Sequence, residues 1–313
     1  MKLDSFTYLS FKSIKENLLL PLNKFPSNNE IVKICKSMVF HNKFFPMPFF
    51  LAANEQDLKE IKNNEISIYY KNKFLEKIKI QSVSFFSKEV VTDLLFSKKN
   101  KILKHPFKDY INKSGNFIIE TRQFNLPFKK QNKNHYIGFA TRNVPHKGHE
   151  KILKYYSNKK KVLVNIFEDT SDNKKINSSK TLKAYNIFIK KNNLKNKIFI
   201  KKLKFPSFLL GPRQAAIHAL IGKNLSCKSY IIGRDHSGYK KFYKTFDSIN
   251  FCKKMQNKIG IKILDSGSPV FCLKTKKILF RNECNSKNFI DISASLIRKT
   301  KNKKFIKLLT NFY

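Results

Sequence analysis

Tryptophan is absent from these 313 residues and arginine is scarce: the 64 basic residues are 58 lysines and six arginines. Acidic residues number 21, which leaves a formal net charge of +43. No run of about 18 apolar residues occurs, so no transmembrane helix is expected. The opening segment, Met1 to Leu20, carries Asp4, Lys12, Lys15 and Glu16. It lacks the basic, apolar, then small-residue order of a secretory signal. The five cysteines are odd in number and widely spread. That excludes a disulfide framework and points to reduced thiols in a cytoplasmic protein. Internal repeats and a long Gly/Pro/Ser linker are also lacking, and the length suits one large core or two ordinary ones.

The charge invites a nucleic-acid reading, but its distribution argues against a specific one. The lysines are dispersed over nearly every segment, and abundant Lys, Asn, Ile and Phe without Trp is what an AT-rich coding sequence produces. The phenylalanines lie in apolar runs that suit a core better than base stacking. A basic surface of this kind favours anionic small molecules through its long-range field. No specific nucleic-acid or membrane partner is expected.

Against this background two stretches stand out, Thr141–Glu150 (TRNVPHKGHE) and Gly233–Gly238 (GRDHSG). With Gly138 just upstream, they hold three of the seven histidines, four of the nine glycines and two of the six arginines. Arginine kept in a lysine-rich chain marks positions that need a planar, forked donor. Arg, Asn, His and Gly at close spacing suit a loop that holds phosphate or sulfate.

The first 134 residues read as mixed and β-rich. Strand candidates are 44–52, 66–70, 78–86 and 117–120, with helical patterns at 29–40 and 88–96. From about His135 strands and helices alternate. Strands are expected at 136–140, 162–167, 198–203, 229–232 and 261–264, and helices at 148–157, 178–191, 212–224 and 246–258. This is the pattern of a parallel sheet covered by helices. Such sheets bind ligands beyond the carboxyl ends of their strands, where both special stretches fall. His146 and His149, three apart at a helix start, can share one face and join free amides in an anion cradle. Without that context the same residues would read as a polar surface loop. The two histidines lack a third ligand of suitable spacing, so a zinc site is the weaker reading of them.

H-x-G-H after a first strand is similar to the nucleotidylyltransferase superfamily, which pairs it with a late I-S-x-[ST]-x-x-R segment; here that segment runs from Ile292 to Arg298 (ISASLIR). Alone it would be a capped helix start. T-R-N-x-x-H-x-x-H, then Gly211–Ala219 (GPRQAAIHA), then GRDHSG, resembles the ATP sulfurylase (sulfate adenylyltransferase) family, whose middle motif reads G-P-R-E-A-x-x-H-A. The resemblance is close over about 135–300 and weaker over 15–130. It implies a Rossmann-like α/β adenylyltransferase domain at 135–313 with a short helical end, after a β-rich, PUA-like domain at 1–134. No G-x-x-x-x-G-K-[ST] P-loop occurs, so a fused adenylylsulfate kinase is not expected.

The resemblance implies a reaction of ATP with sulfate that yields adenylyl sulfate and pyrophosphate. It places Arg142 and the Ser237 amide on sulfate. ATP would fall to Thr141, Asn143, His146, His149, Gly233, Arg234, Asp235 and His236. The catalytic set it implies is Arg142, Asn143, His146 and His149. Mg²⁺ would accompany ATP, held mainly by phosphate oxygens and water. Two departures bear on the acceptor: Ala140 stands where the family has a sulfate-binding Gln, and the loop proline is moved one place, to Pro145. Zinc is not expected, because the register of the family's zinc ligands falls on Cys272, Thr275, Cys284 and Asn288. Arg213, at a helix N-terminal turn, calls for a fixed anionic partner such as a carboxylate. His218 reads equally as a buried structural residue or a ligand, and Arg122 and Arg281 read as structural. A homo-oligomer is left open. Two other functions also stay open. One is an adenylyltransferase with a different oxyanion or phosphorylated acceptor, which Ala140 keeps in play. The other is a noncatalytic nucleotide- or RNA-binding module, which the intact Arg142, His146, His149, Arg234 and Asp235 argue against.

Overall fold

The computed structural model describes residues 1–96, 104–127, 135–168, 178–239, 242–300 and 302–312. In chain order the first part contains α1 (Ser5–Lys15), α2 (Asn28–Ser37), β1 (Val39–Phe40), β2 (Lys43–Phe44), β3 (Ala52–Ala53), α3 (Glu55–Lys59), β4 (Glu65–Tyr70), β5 (Lys73–Phe85), α4 (Lys88–Leu95), α5 (Pro106–Lys113) and β6 (Phe117–Thr121). Strands β3-β6-β5-β4 form an antiparallel sheet in that order. Five helices accompany it among the described residues, so the β-rich reading understates the helix in this part. The expected strand at 44–52 is corrected: only Phe44 and Ala52 of it are in strands. Pro46 and Pro48 cannot donate to a ladder, and Phe45, Met47, Phe49, Phe50 and Leu51 are buried as irregular chain.

The second part alternates as its sequence predicts: β7 (Tyr136–Thr141), α6 (Lys147–Ser157), β8 (Val162–Glu168), α7 (Ser178–Lys191), β9 (Ile198–Lys204), α8 (Gly211–Asn224), β10 (Cys227–Ile232), α9 (Asp247–Ile259) and β11 (Lys262–Asp265). The five strands are parallel in the order β11-β10-β7-β8-β9. Beyond β11 lie β12 (Pro269–Cys272), β13 (Lys277–Phe280) and β14 (Phe289–Asp291), an antiparallel sheet, then α10 (Ala294–Lys299) and α11 (Lys303–Leu309).

Strand alternation sorts the parallel sheet's side chains onto two covered faces. Ile137, Phe139, Val164, Ile166 and Ile231 meet α6 and α7 through Ile152, Leu153, Tyr185 and Phe188. The opposite face meets α8 and α9 in a cluster that also takes in the first part of the chain, from Met1 to Ile119. Phe208 is the aromatic centre of that union, with ring centroids 4.7 Å from Phe6, 5.0 Å from Phe49 and 4.8 Å from Phe107. The Tyr230 ring fixes how closely α8 approaches the sheet. A Cβ on Gly138 or on Gly222 would come within 2.3 Å of it, so both positions exclude a side chain.

The chain runs outward from β7 to β8 and β9, then returns to the other side of β7 for β10 and β11. The carboxyl ends of β7 and β10 therefore flank a topological switch point, where sheets of this type open a crevice.

Candidate active site

The turn after β7 begins at Thr141, whose hydroxyl accepts the Asn143 amide and donates to the Asn143 carbonyl, both at 3.1 Å. Arg142 lies between them and donates from Nη1 to Ser207 Oγ at 2.8 Å. Asn143 Oδ1 accepts from Arg298 Nη1 at 3.0 Å, which brings the last motif onto the first. α10, which carries Arg298, starts at Ser293, whose hydroxyl caps Leu296 N at 3.1 Å.

His146 caps α6: its Nδ1 accepts the His149 amide at 3.3 Å. With Nδ1 accepting, a neutral His146 carries its proton on Nε2. The His146 and His149 rings stack at 3.7 Å and 20°. Phe139 meets His149 edge-on at 5.5 Å. Gly148 leaves room for this, since a Cβ there would lie 3.0 Å from the His146 ring. Burial pushes the His146 imidazolium well below its usual range, helped by His149 and Arg234. Burial alone brings His149 down to about 4. Both rings are therefore neutral at neutral pH. His149 Nδ1 is buried with no partner among the described residues. Such a group is costly unless something else satisfies it.

The GRDHSG turn follows β10. Arg234 pairs through Nη1 with the Asp291 carboxylate and donates from Nη2 to Ile292 O at 3.2 Å. Asp235 and Ser237 adopt left-handed backbone, with φ of 51° and 54°. The Asp235 amide donates to Thr245 O at 2.8 Å, and Gly211 N donates to Ser237 O at 3.1 Å. A Cβ on Gly233 would meet only Ser266 Oγ, at 3.8 Å, so packing does not demand glycine there. His236 Nε2 and His218 Nδ1 are 2.9 Å apart, and Gln214 Nε2 is 3.4 Å from His218 Nε2. Burial lowers His236 to about 4 and His218 well below its usual range, and the Arg142 guanidinium adds to both effects.

The structure thus brings together Thr141, Arg142, Asn143, His146, His149 and Arg298, with Arg234 close enough to affect His146 and with His236 near Arg142. Gly233, Asp235 and Ser237 share the second turn. Ala140 pairs in register with Asn165 of β8, so the two side chains share a face. Asn165 is fully buried; its amide nitrogen lies 3.5 Å from Tyr230 Oη, and its Oδ1 has no partner among the described residues.

Arg213 corrects an expectation. Its partners are not a carboxylate but three backbone carbonyls, Ile34 O at 3.4 Å, Cys35 O at 2.6 Å and Pro46 O at 3.1 Å. Two of these belong to the last turn of α2, where a cation is favourable against the helix dipole. Arg281 donates to Cys284 O at 3.1 Å and covers the Phe289 ring at 4.0 Å. Cys272 and Cys284 are buried thiols packed with Val270 and Phe289. Hydrogen bonding, from Thr275 first and also from Cys284, brings the Cys272 thiol down to about 7. Leu273 N donates to Asn288 O at 3.1 Å, so Asn288 adjoins the end of the strand that carries Cys272. Among the described residues no group of three or more His, Cys, Asp or Glu converges in a way that could hold a metal. No helix there is long and apolar enough to cross a membrane.

Sequence reasoning missed Ser207, Gln214, Asn165, Asp291 and the C-terminal clasp on the cradle. In that clasp Thr310 Oγ1 donates to Pro145 O at 3.1 Å, and Lys147 Nζ donates to Lys307 O at 3.1 Å. Asp291 was open to discovery, as one of few acids and directly before the ISASLIR segment.

A parallel α/β sheet with a histidine-capped helix at its switch point defines the class. The ATP-sulfurylase family model matches residues 116–304, and the chain belongs to that family. It is similar to the sulfate adenylyltransferase of Carboxydothermus hydrogenoformans, 27% identical over 212 residues, covering 64% of this chain and 53% of the relative. The Ignicoccus hospitalis sulfate adenylyltransferase is 24% identical over 313 residues, covering 92% and 81%. That of Pyrococcus abyssi is 20% identical over 324 residues, covering 95% and 83%. The chain thus spans about half of the first relative's length and about four fifths of the other two. Among solved structures, a hexameric APS kinase from Thiobacillus denitrificans shares the fold, with a TM-score of 0.67, 12% identity, and coverage of 95% of this chain and 57% of that one.

Proposed function

We propose that the chain is a sulfate adenylyltransferase, converting ATP and sulfate to adenylyl sulfate and pyrophosphate. The observation that carries this is the convergence of His146, His149 and Arg234 at the switch point of the parallel sheet, with Arg142 on the same turn and beside His236. Family membership and the named relatives support it.

In this reading a sulfate oxygen attacks the α-phosphorus in line. The new bond is S–O–P; the bond to the β-phosphate oxygen breaks, and pyrophosphate leaves with the electron pair. Sulfate is already a dianion, so no general base is needed. The work is positioning and charge neutralisation. Arg142, braced by Ser207, holds sulfate together with the Ser237 amide. Asn143 and Arg234, each oriented by a fixed partner, face the ATP phosphates, and Thr141 shapes the turn between them. His146 and His149 act as neutral donors, His146 through Nε2–H, and stabilise the departing pyrophosphate. Gly233, Asp235 and His236 form the nucleotide floor, with His236 at its edge beside the sulfate that Arg142 holds, and the open space over Gly233 suits a flat base. MgATP is the substrate form, its Mg²⁺ held by phosphate oxygens and water. The same proposal assigns residues 1–134 to a PUA-like unit, supported by its antiparallel sheet, and 135–313 to the catalytic unit. It places the enzyme in the cytoplasm and includes a homo-oligomer.

A second reading, transfer to a different oxyanion, is favoured by one observation: Ala140 offers no donor, and its neighbour Asn165 is buried. Pyrophosphate release from ATP, compared with sulfate, molybdate and phosphate as acceptors, decides between them. Sulfate-dependent release is expected. Its absence, with release on another acceptor, overturns the sulfate assignment.

A further inference from the structure

The imidazoles of buried His218 and half-buried His236 belong to a hydrogen-bond chain whose direction is fixed from one end. The Leu209 amide donates to Gln214 Oε1 at 2.6 Å. A backbone N–H can only donate, so the carboxamide oxygen faces Leu209 and its NH₂ faces His218, donating to Nε2 at 3.4 Å. A neutral imidazole has one donor and one acceptor nitrogen. With Nε2 accepting, His218 carries its proton on Nδ1 and donates to His236 Nε2 at 2.9 Å. His236 must then carry its own proton on Nδ1. Burial keeps both rings neutral at neutral pH. The His218 ring cannot turn freely, because Phe167 stacks on it at 4.1 Å and 12° while Phe205 meets it edge-on at 5.4 Å. His236 Nδ1 meets no protein acceptor among the described residues, and Arg142 lies close enough to both rings to oppose their protonation.

We infer that Leu209, Gln214 and His218 form a relay that fixes His236 as an Nδ1–H donor toward the anion held beside Arg142, with Gln214 and His218 as positioning residues. Without the relay an isolated neutral His236 could present either a donor or a bare lone pair, and a lone pair repels an oxyanion. Gln214 sets the polarity. A Glu at this position, as in the motif this segment is similar to, would accept from both neighbours and reverse every bond down to His236. The identity of the anion rests on the proposed adenylyl transfer; the polarity of the relay does not.

The test has two arms. Nitrogen-15 NMR of imidazole-labelled protein reads the tautomer directly, with no substrate present. Wild type is expected to show His236 protonated on Nδ1, and Gln214→Glu to move that proton to Nε2. A wild-type His236 protonated on Nε2, or a tautomer unmoved in Gln214→Glu, overturns the relay. The second arm uses sulfate-dependent pyrophosphate release with His218→Phe, which keeps the ring stack but cannot donate, and His218→Asn, whose amide nitrogen takes the place of Nδ1. One lost hydrogen bond to a charged group predicts that His218→Phe raises the sulfate KM about tenfold, with kcat less affected, and that His218→Asn restores it to within about threefold of wild type. Equal KM values in all three proteins overturn the inference. If His218→Phe does not fold, the wild-type NMR result decides. If wild type releases no pyrophosphate with sulfate while His236 carries its proton on Nδ1, the proposed reaction fails and the relay stands.

Discussion

His146 and His149 are held as a stacked neutral pair, one capping the helix and the other with a buried nitrogen left over. His146→Ala and His149→Ala should each lower turnover by about 10²-fold, as expected for loss of a transition-state donor. Steady-state pyrophosphate release checks this, and near-wild-type rates in both variants would remove them from the mechanism. The same burial links the site to stability. His149 and His236 titrate at about 4 in the folded protein, against 6.5 ordinarily. Below pH 6.5 the unfolded chain takes up their protons first. The stability they allow is complete above 6.5 and is lost as pH falls toward 4, by about 1.4 kcal/mol per pH unit for each group. Urea unfolding at pH 7, 6 and 5 should show this decline, and a flat profile would argue that the imidazoles are not buried as described. At Ala140, restoring a side-chain donor with Ala140→Gln should lower the sulfate KM by about tenfold, one charged hydrogen bond, with the ATP KM unchanged. An unchanged sulfate KM counts against an acceptor site beside Ala140.

Among the elements, α8 ties the catalytic sheet to the first part of the chain. Arg213 at its start donates to three carbonyls of α2 and the Pro46 segment. Arg213→Ala should destabilise the protein by about 2–3 kcal/mol, since buried carbonyls lose a charged donor. Chemical denaturation measures it, and a change below about 0.5 kcal/mol, the level of a neutral surface substitution, would contradict the capping role. This contact also marks where sequence reading stops. The parallel strands were legible because runs such as Val162–Phe167 are apolar on both faces. The site loops were legible because Arg, Gly and His are scarce elsewhere. Arg213 was recognisable as needing a partner, but the partner lies more than 160 residues upstream and is backbone, which no residue type announces. The Phe45–Leu51 segment misled for a related reason. Its apolar residues satisfy the core, while Pro46 and Pro48 deny it a ladder, so burial and strand pairing separate. Ser207 and Gln214 orient Arg142 and His218 from loops and helix turns whose approach depends on packing.

At the scale of the whole molecule, the charge of +43 is almost entirely lysine. Such a surface should bind polyanions weakly and without sequence preference, with affinity falling steeply as salt rises. Fluorescence titration with two unrelated RNA oligomers at 50 and 200 mM salt reads this. Retained, sequence-selective binding at the higher salt would restore the nucleic-acid module as a function.

The division of labour between the two cations has a practical consequence. Five of the six arginines are fixed by named partners: Arg142 by Ser207, Arg213 by carbonyls, Arg234 by Asp291, Arg281 by Cys284 and Arg298 by Asn143. Three of these five surround the proposed crevice. A vicinal dicarbonyl reagent condenses with guanidinium and passes over ammonium groups, so this chain offers it few targets despite its charge. Covalent labelling thus becomes a footprint of the crevice itself, and mass spectrometry of peptides shielded by added nucleotide can outline the site without any substitution.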